Sequence, residues 1–383
     1  MVVAEGSPVA LKRERFLSLD VFRGLTVFLM IIVNTPGPGA DFYPFLTHAP
    51  LYGFTLADLV FPSFLFAVGN SLSFSRKNEP GGEAKLWAKI LKRTVLLFGL
   101  GYLMYWFPFV KQLPDGHWVA KPFSDTRIMG VLQRIALCYG LAALLVHYVS
   151  ERTLVIISAA LLVGYWAVLY FFGEPGQEFT KTGNAGTLLD RWVLGTNHMY
   201  KRDGGVPFDP EGLLGTLPAL VNVLVGYLAG TFIRRTGKNF ESVAKLLMVG
   251  ALLLLTAQAW NLVFPIAKKL WTSPFALHTL GIDLMGLALL LYAIEMRGWT
   301  WGTAFFNVFG KNPLFIYLFS EILVISINLL HIGPLRVYDW IGIHLFQTIA
   351  PGPFGSLLCA VAYTLVCWLV GWVLDRRRIY IRL

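Results

Sequence analysis

The 383-residue sequence is 56% hydrophobic, only 14% charged and carries a net charge of +10, with a mean hydropathy of +0.62. That balance lies outside the range of water-soluble globular domains and excludes a soluble single-core enzyme. The positive charge suits anionic lipid headgroups, so no nucleic-acid partner is needed.

Ten apolar stretches, each long enough to cross roughly 30 Å of hydrocarbon, follow one another at residues 17–36, 54–74, 91–110, 128–148, 153–172, 213–233, 244–263, 276–296, 304–330 and 354–374. The predicted fold is all-α: a polytopic membrane protein of about ten transmembrane helices, forming a single membrane domain over residues 1–383. With the N-terminus inside, twenty Lys and Arg residues fall in the inner segments and ten in the outer loops. The inner set includes Lys12, Arg13, Arg15, Arg76, Lys77 and Arg382; the outer set includes Arg202 and Lys268. This bias places both termini in the cytoplasm, with residues 1–16 as an inner tail. The first apolar segment lacks a small-x-small cleavage site and holds Asp20 and Arg23, so it reads as a retained first helix. Asp20 and Arg23, three apart, can pair on one helix face or join a cytoplasmic anionic-ligand site.

Asn34 ends the first span beside Pro36 and Gly37. Its amide can donate to a developing oxyanion or cap its own helix. A Gly/Pro-rich loop follows and carries His48, whose imidazole can take and return a proton at working pH or be a plain loop histidine. Asp58, ten residues on, opens the second span; it can orient His48 or cap its own helix with Thr55. Arg134 in GVLQRIALCY lies in the outer half of the fourth span, where a guanidinium must face the interior and grip an anion or carboxylate. Asp283 and Glu321 are its candidate partners, and His278 is a further polar group near the outer end of the eighth span. The segment 173–212 is a long outer loop rich in aromatics, a binding element by its length. Asp209 and Glu211 in FDPEG suit the N-terminus of the sixth span. Pro62, Pro218 and Pro313 are expected to interrupt their spans, the last directly after Lys311 and Asn312. Cys138, Cys359 and Cys367 all lie in spans, so neither disulfides nor a metal site is expected. No Walker, dinucleotide, HExxH or GxSxG motif is present.

The motifs SLDVFRG, HAPLYGFTLADLVFPSFLFAVG, GVLQRIALCY, FDPEGLLGTLPALV, LWTSPFAL and GKNPLFIYLFSE occur in an order that resembles the heparan-α-glucosaminide N-acetyltransferase family, including bacterial relatives of the NagX type. The resemblance covers essentially the whole membrane region. It implies an enzyme that moves an acetyl group from cytosolic acetyl-CoA to an amino-sugar or glycan-end acceptor across a bacterial inner membrane. It also implies that His48 is catalytic, with Asn34 its partner and Asp58 matching a family aspartate. Unlike the animal members, the chain is expected to lack an N-terminal luminal domain. By charge and polarity alone, Arg134, Lys311 and Asn312 are candidates to hold the CoA. Membrane lipid and a second copy of the chain are further candidate partners. A sugar permease without acyl transfer is the alternative, since broken helices and buried charges also mark solute carriers.

Overall fold

The computed structural model describes residues 16–74, 82–113, 115–201 and 203–381. Lys12, Arg13, Arg15, Arg76, Lys77, Arg202 and Arg382, which entered the charge count, and nearly all of the expected N-terminal tail lie outside the described residues. The long helices are α1 (Leu17–Asn34), α2 (Leu56–Ser73), α3 (Gly82–Trp106), α4 (Val131–Tyr148) and α5 (Glu151–Phe172). After the short α6 (Ala185–Val193) come α7 (Thr216–Thr236), α8 (Phe240–Asn261), α9 (Ser273–Leu290), α10 (Thr303–Lys311) and α11 (Pro313–Ile327). Two short helices, α12 (Val337–Ile341) and α13 (Gln347–Ile349), precede α14 (Pro353–Arg376). Among the described residues, strand content is confined to two small hairpins, Val110–Gln112 with Trp118–Ala120 and His331–Ile332 with Leu335–Arg336.

Among the described residues, eight helices are long and apolar enough to cross a membrane, and the bent pair α10–α11 makes a ninth if it crosses as one span. The fold is therefore an all-α polytopic membrane protein. The expected third span is α3, whose 25 residues are long enough but hold Lys85, Lys89, Lys92 and Arg93 in the first half. Long basic side chains can carry their charge toward the headgroups while their stems stay in apolar surroundings.

Contacts sort the bundle into two ends. At one end, Ser18 donates to Glu295 at 3.0 Å, Lys238 pairs with Glu295 at 3.0 Å, and Lys311 pairs with Asp375 at 2.8 Å. This is the termini end. At the other, Asn34 meets Glu321, and His48 meets Asp58 and Lys268. This is the histidine end.

The helices α2 and α7 are central, 78% and 72% buried, whereas α5 and α8 are only 28% buried and face the surroundings. Glycine makes the central contact close. A Cβ on Gly226 would meet the carbonyl of Phe66, and one on Gly69 would meet the carbonyl of Val223. Gly24 and Gly310 do the same for α1 against α10.

The prolines act differently from expectation. The helix α2 runs unbroken through Pro62, and Pro218 sits in the first turn of α7, where no intrahelical N–H is lost. Only Pro313 marks a break, an 83° bend between α10 and α11. Asn312 bridges the gap to the C-terminal segment: its amide donates to Ile379 O at 2.9 Å and accepts from Ile381 N at 2.9 Å. Arg23 supports the bend from below, donating to Gly310 O at 2.8 Å, to Ser71 Oγ at 2.9 Å and to Asp20 at 2.7 Å. Asp20 and Arg23 thus form a structural pair.

Gly226→Val is expected to destabilise the bundle by about 1–3 kcal/mol through overpacking, read as a lowered melting temperature in detergent. Gly164→Ala, on the open face of α5, is expected to keep or slightly raise the melting temperature.

Candidate active site

Asp58 is the third residue of α2 and is fully buried. From that position its carboxylate turns back over the helix start. Oδ2 accepts the N–H of Thr55 at 3.1 Å and of Ala49 at 3.2 Å, and Oδ1 faces His48 Nδ1 at 2.9 Å. A carboxylate accepts only, so Nδ1 carries a proton, and in the neutral ring Nε2 presents its lone pair. The two roles weighed for Asp58 are therefore combined. One oxygen closes the helix start while the other fixes the ring of His48, whose side chain remains 38% exposed.

A third residue completes the group. Lys268, in the turn between α8 and α9, places Nζ 3.1 Å from His48 Nε2 and 3.2 Å from Nδ1. The near-equal distances place the ammonium over the ring face, beside both nitrogens and off the in-plane lone-pair direction of Nε2. The turn is held firmly: Thr272 Oγ1 donates to Pro265 O at 2.8 Å, Ala267 N donates to Thr272 Oγ1 at 3.0 Å, and Tyr165 donates to Leu270 O. Gly53 N donates to Ile266 O at 2.9 Å, tying the loop of His48 to the turn of Lys268. Burial pushes the Lys268 ammonium below the usual lysine range, while Glu211 and Asp58 oppose that fall. Sequence reasoning counted Lys268 only toward orientation; its place just ahead of LWTSPFAL was the available signal.

Glu211 and Asp209 do not cap a helix. Arg127 donates to Asp209 at 3.1 and 2.5 Å and to Glu211 at 2.5 Å, between the rings of Tyr105 and Tyr200. Because α7 starts only at Thr216, these carboxylates are too early to cap it. Burial opposes ionisation of Glu211, but Arg127, Arg134 and Lys268 outweigh it and hold the carboxyl below its ordinary range.

Arg134 is 1% exposed and grips neither Asp283 nor Glu321. It donates to the carbonyls of Pro210 at 3.1 Å and Gly212 at 2.8 Å, with its guanidinium 4.9 Å from the Trp271 ring. Asp283 instead accepts from Ser63 at 2.5 Å, and Glu321 accepts from Asn34 Nδ2 at 3.2 Å. Asn34 is exposed and makes no hydrogen bond with His48. Lys311 and Asn312 are held at the termini end by Asp375 and the backbone of Ile379 and Ile381. The structure thus joins His48 to Asp58, sets Asn34 on a neighbouring carboxylate, and separates Arg134 from Lys311 and Asn312 by the depth of the bundle.

A cavity of about 370 Å³ opens at the histidine end, lined by Tyr52, Phe54, Gln258, Asn261, Pro265 and His278 among others. It uses the same two segments that carry His48 and Lys268. His278 packs edge-on to Phe54 at 4.6 Å and lies 3.4 Å from Gln258 Nε2.

Fold and site together define a polytopic membrane protein with a carboxylate-oriented imidazole at one end of its bundle. A family model described as heparan-alpha-glucosaminide N-acetyltransferase, catalytic, matches residues 15–264, and the chain belongs to that family. The heparan-alpha-glucosaminide N-acetyltransferase of Mus musculus is 28% identical over 366 residues, covering 81% of this chain and 54% of the relative. That of Homo sapiens is 29% identical over 364 residues, covering 80% and 53%. The chain spans about half the length of these curated relatives.

The long loop carries a titratable support of its own. Asp190 in α6 accepts Leu213 N at 2.9 Å, and burial pushes its carboxyl from 3.8 up to about 7. Unfolded, Asp190 sheds its proton near 3.8, so its stabilising contribution is complete below that value and is lost as pH rises through about 7. Between about pH 5 and about pH 8 the melting temperature is expected to fall more steeply in the wild type than in Asp190→Asn. Parallel curves would remove Asp190 from this role.

Proposed function

We propose that this chain is a transmembrane acetyltransferase that passes an acetyl group from cytosolic acetyl-CoA to the amine of an amino sugar at the histidine end. On this reading the histidine end is the outer face of a bacterial inner membrane and both termini are cytoplasmic. The observation that carries the reading is the His48–Asp58 pair. A buried carboxylate fixes one ring nitrogen and leaves the other free to act as a base at an exposed position. Family membership supplies the reaction class. Neither curated relative is named as a permease, and that alternative is set aside.

The chemistry follows from the tautomer. The acceptor nitrogen attacks the thioester carbonyl as Nε2 of His48 takes its proton, and the C–N bond forms. Asp58 stabilises the resulting imidazolium. As the C–S bond breaks, the imidazolium returns the proton to the departing CoA thiolate, giving amide and free thiol. We favour this direct transfer over an acetyl-histidine intermediate. In this scheme Asn34 holds the acyl oxygen after its amide turns from Glu321. Arg134 steadies the acceptor-side loop, while Lys311 and Asn312 stand at the end where the donor enters. The cavity beside His278 lies in the size range of small-molecule sites, and its amide and imidazole groups suit sugar hydroxyls.

Purified protein supplied with radiolabelled acetyl-CoA and glucosamine is expected to yield labelled N-acetylglucosamine with release of CoA. His48→Ala should reduce the rate by about 10²–10⁴-fold, the usual range for a general base. Asp58→Asn should lower kcat by up to about 10⁴-fold by favouring the wrong tautomer. Full activity in the His48 variant, or uptake of unmodified sugar into proteoliposomes without CoA release, would contradict the proposal.

A further inference from the structure

We propose that Lys268 is a positioning residue of the His48 site: its cationic side chain keeps both the imidazole and the incoming acceptor amine unprotonated. The inference rests on the acyl-transfer reading and deepens it. Lys268 lies beyond residues 15–264, the part of the chain matched by the family model.

The geometry is specific. Lys268 Nζ lies over the imidazole, 3.1 Å from Nε2, the atom that must accept the acceptor's proton, and 3.2 Å from Nδ1. Asp58 on the other side of the ring favours the imidazolium, because a nearby carboxylate stabilises a positive charge. The ammonium of Lys268, close to both ring nitrogens, opposes that effect. It also disfavours a second ammonium at the place where the acceptor nitrogen must arrive, which is how a neighbouring cation activates an amine nucleophile.

The charges facing Lys268 come from several elements. Asp58 on α2 and Glu211 before α7 favour its ammonium form, while Lys269 beside it and Arg134 on α4 oppose it. Lys269 is itself paired with Asp203 at 2.6 Å, and Glu211 with Arg127 at 2.5 Å. Two carboxylates therefore oppose the effect of burial on Lys268 without cancelling it, and the turn at 265–272 brings it to the ring. The acceptor reaches Nε2 in the plane of the ring, and the ammonium over the ring face then stands beside the reacting nitrogen.

The test compares the pH dependence of kcat/KM for acetyl transfer to glucosamine in the wild type, Lys268→Met, Lys268→Gln and Lys268→Arg, with melting curves for each. In Lys268→Met the acidic limb is expected to move up by about one pH unit, a shift typical of losing one close charge. Activity near pH 6 then falls about tenfold while most of it is kept near pH 8.5. Lys268→Arg retains the wild-type limb. Lys268→Gln gives the same answer where Lys268→Met fails to fold. A folded Met or Gln variant with the wild-type limb would overturn the inference, as a purely structural lysine alters melting and not the profile. If the wild type acetylates no amine at any pH, the acyl-transfer reading falls. Carbethoxylation of His48 against pH, read by peptide mass, then tests Lys268 directly. An upward shift of the half-maximal pH in Lys268→Met sustains its hold on the ring, and an unchanged curve overturns it.

Discussion

A carboxylate at the edge of a membrane must be paired, and Asp58 is paired so fully that it organises everything near it. Left alone in hydrocarbon, such a charge would cost at least ~2.5–3.5 kcal/mol. Three N–H donors meet it instead: Thr55, Ala49 and His48. The first closes the start of α2, the second pins the end of the Gly/Pro-rich loop, and the third sets the imidazole. Helix start, loop path and ring tautomer are thus consequences of one buried group. That is why a loop histidine can be held in one orientation while remaining exposed.

Beyond this pair, opposite charges alternate from Lys268 through Glu211 to Arg127 and Asp209. The chain of charges links the site to the long loop between α5 and α7, which Arg134 also holds through two carbonyls. Arginine suits this work because its planar fork can serve several acceptors while stacked on aromatic rings. The long loop is therefore a built part of the histidine end. Its acidic residues serve the site's charge balance, and α7 starts without them.

The large features were legible in the sequence because they depend on local quantities. Hydropathy and length gave the crossings, and the three-residue spacing from Thr55 to Asp58 marked a helix start that also reaches back to His48. What escaped was what depends on distant residues meeting. Lys268 is 220 positions from His48, and nothing local distinguishes it from the neighbouring Lys269. Asn34 found Glu321, 287 positions away, although its place before a Gly/Pro turn pointed equally to a cap. Arg134 was rightly read as buried, but its partners are backbone carbonyls, which no side-chain pattern announces. Proline likewise reports only a missing N–H. Whether the helix breaks depends on neighbours, as Pro62 within α2 and Pro313 after Asn312 show in opposite ways.

The central claim is that a donor entering from the termini end meets its acceptor at Nε2 of His48. The most direct test is a cryo-EM structure with an acetyl-CoA analogue whose thioester sulfur is insulated by a methylene, together with glucosamine. The account predicts the amine hydrogen-bonded to Nε2 and within about 3–3.5 Å of the acyl carbon, with the nucleotide toward Lys311. An acyl carbon more than about 10 Å from His48, far beyond any near-attack distance, would contradict it.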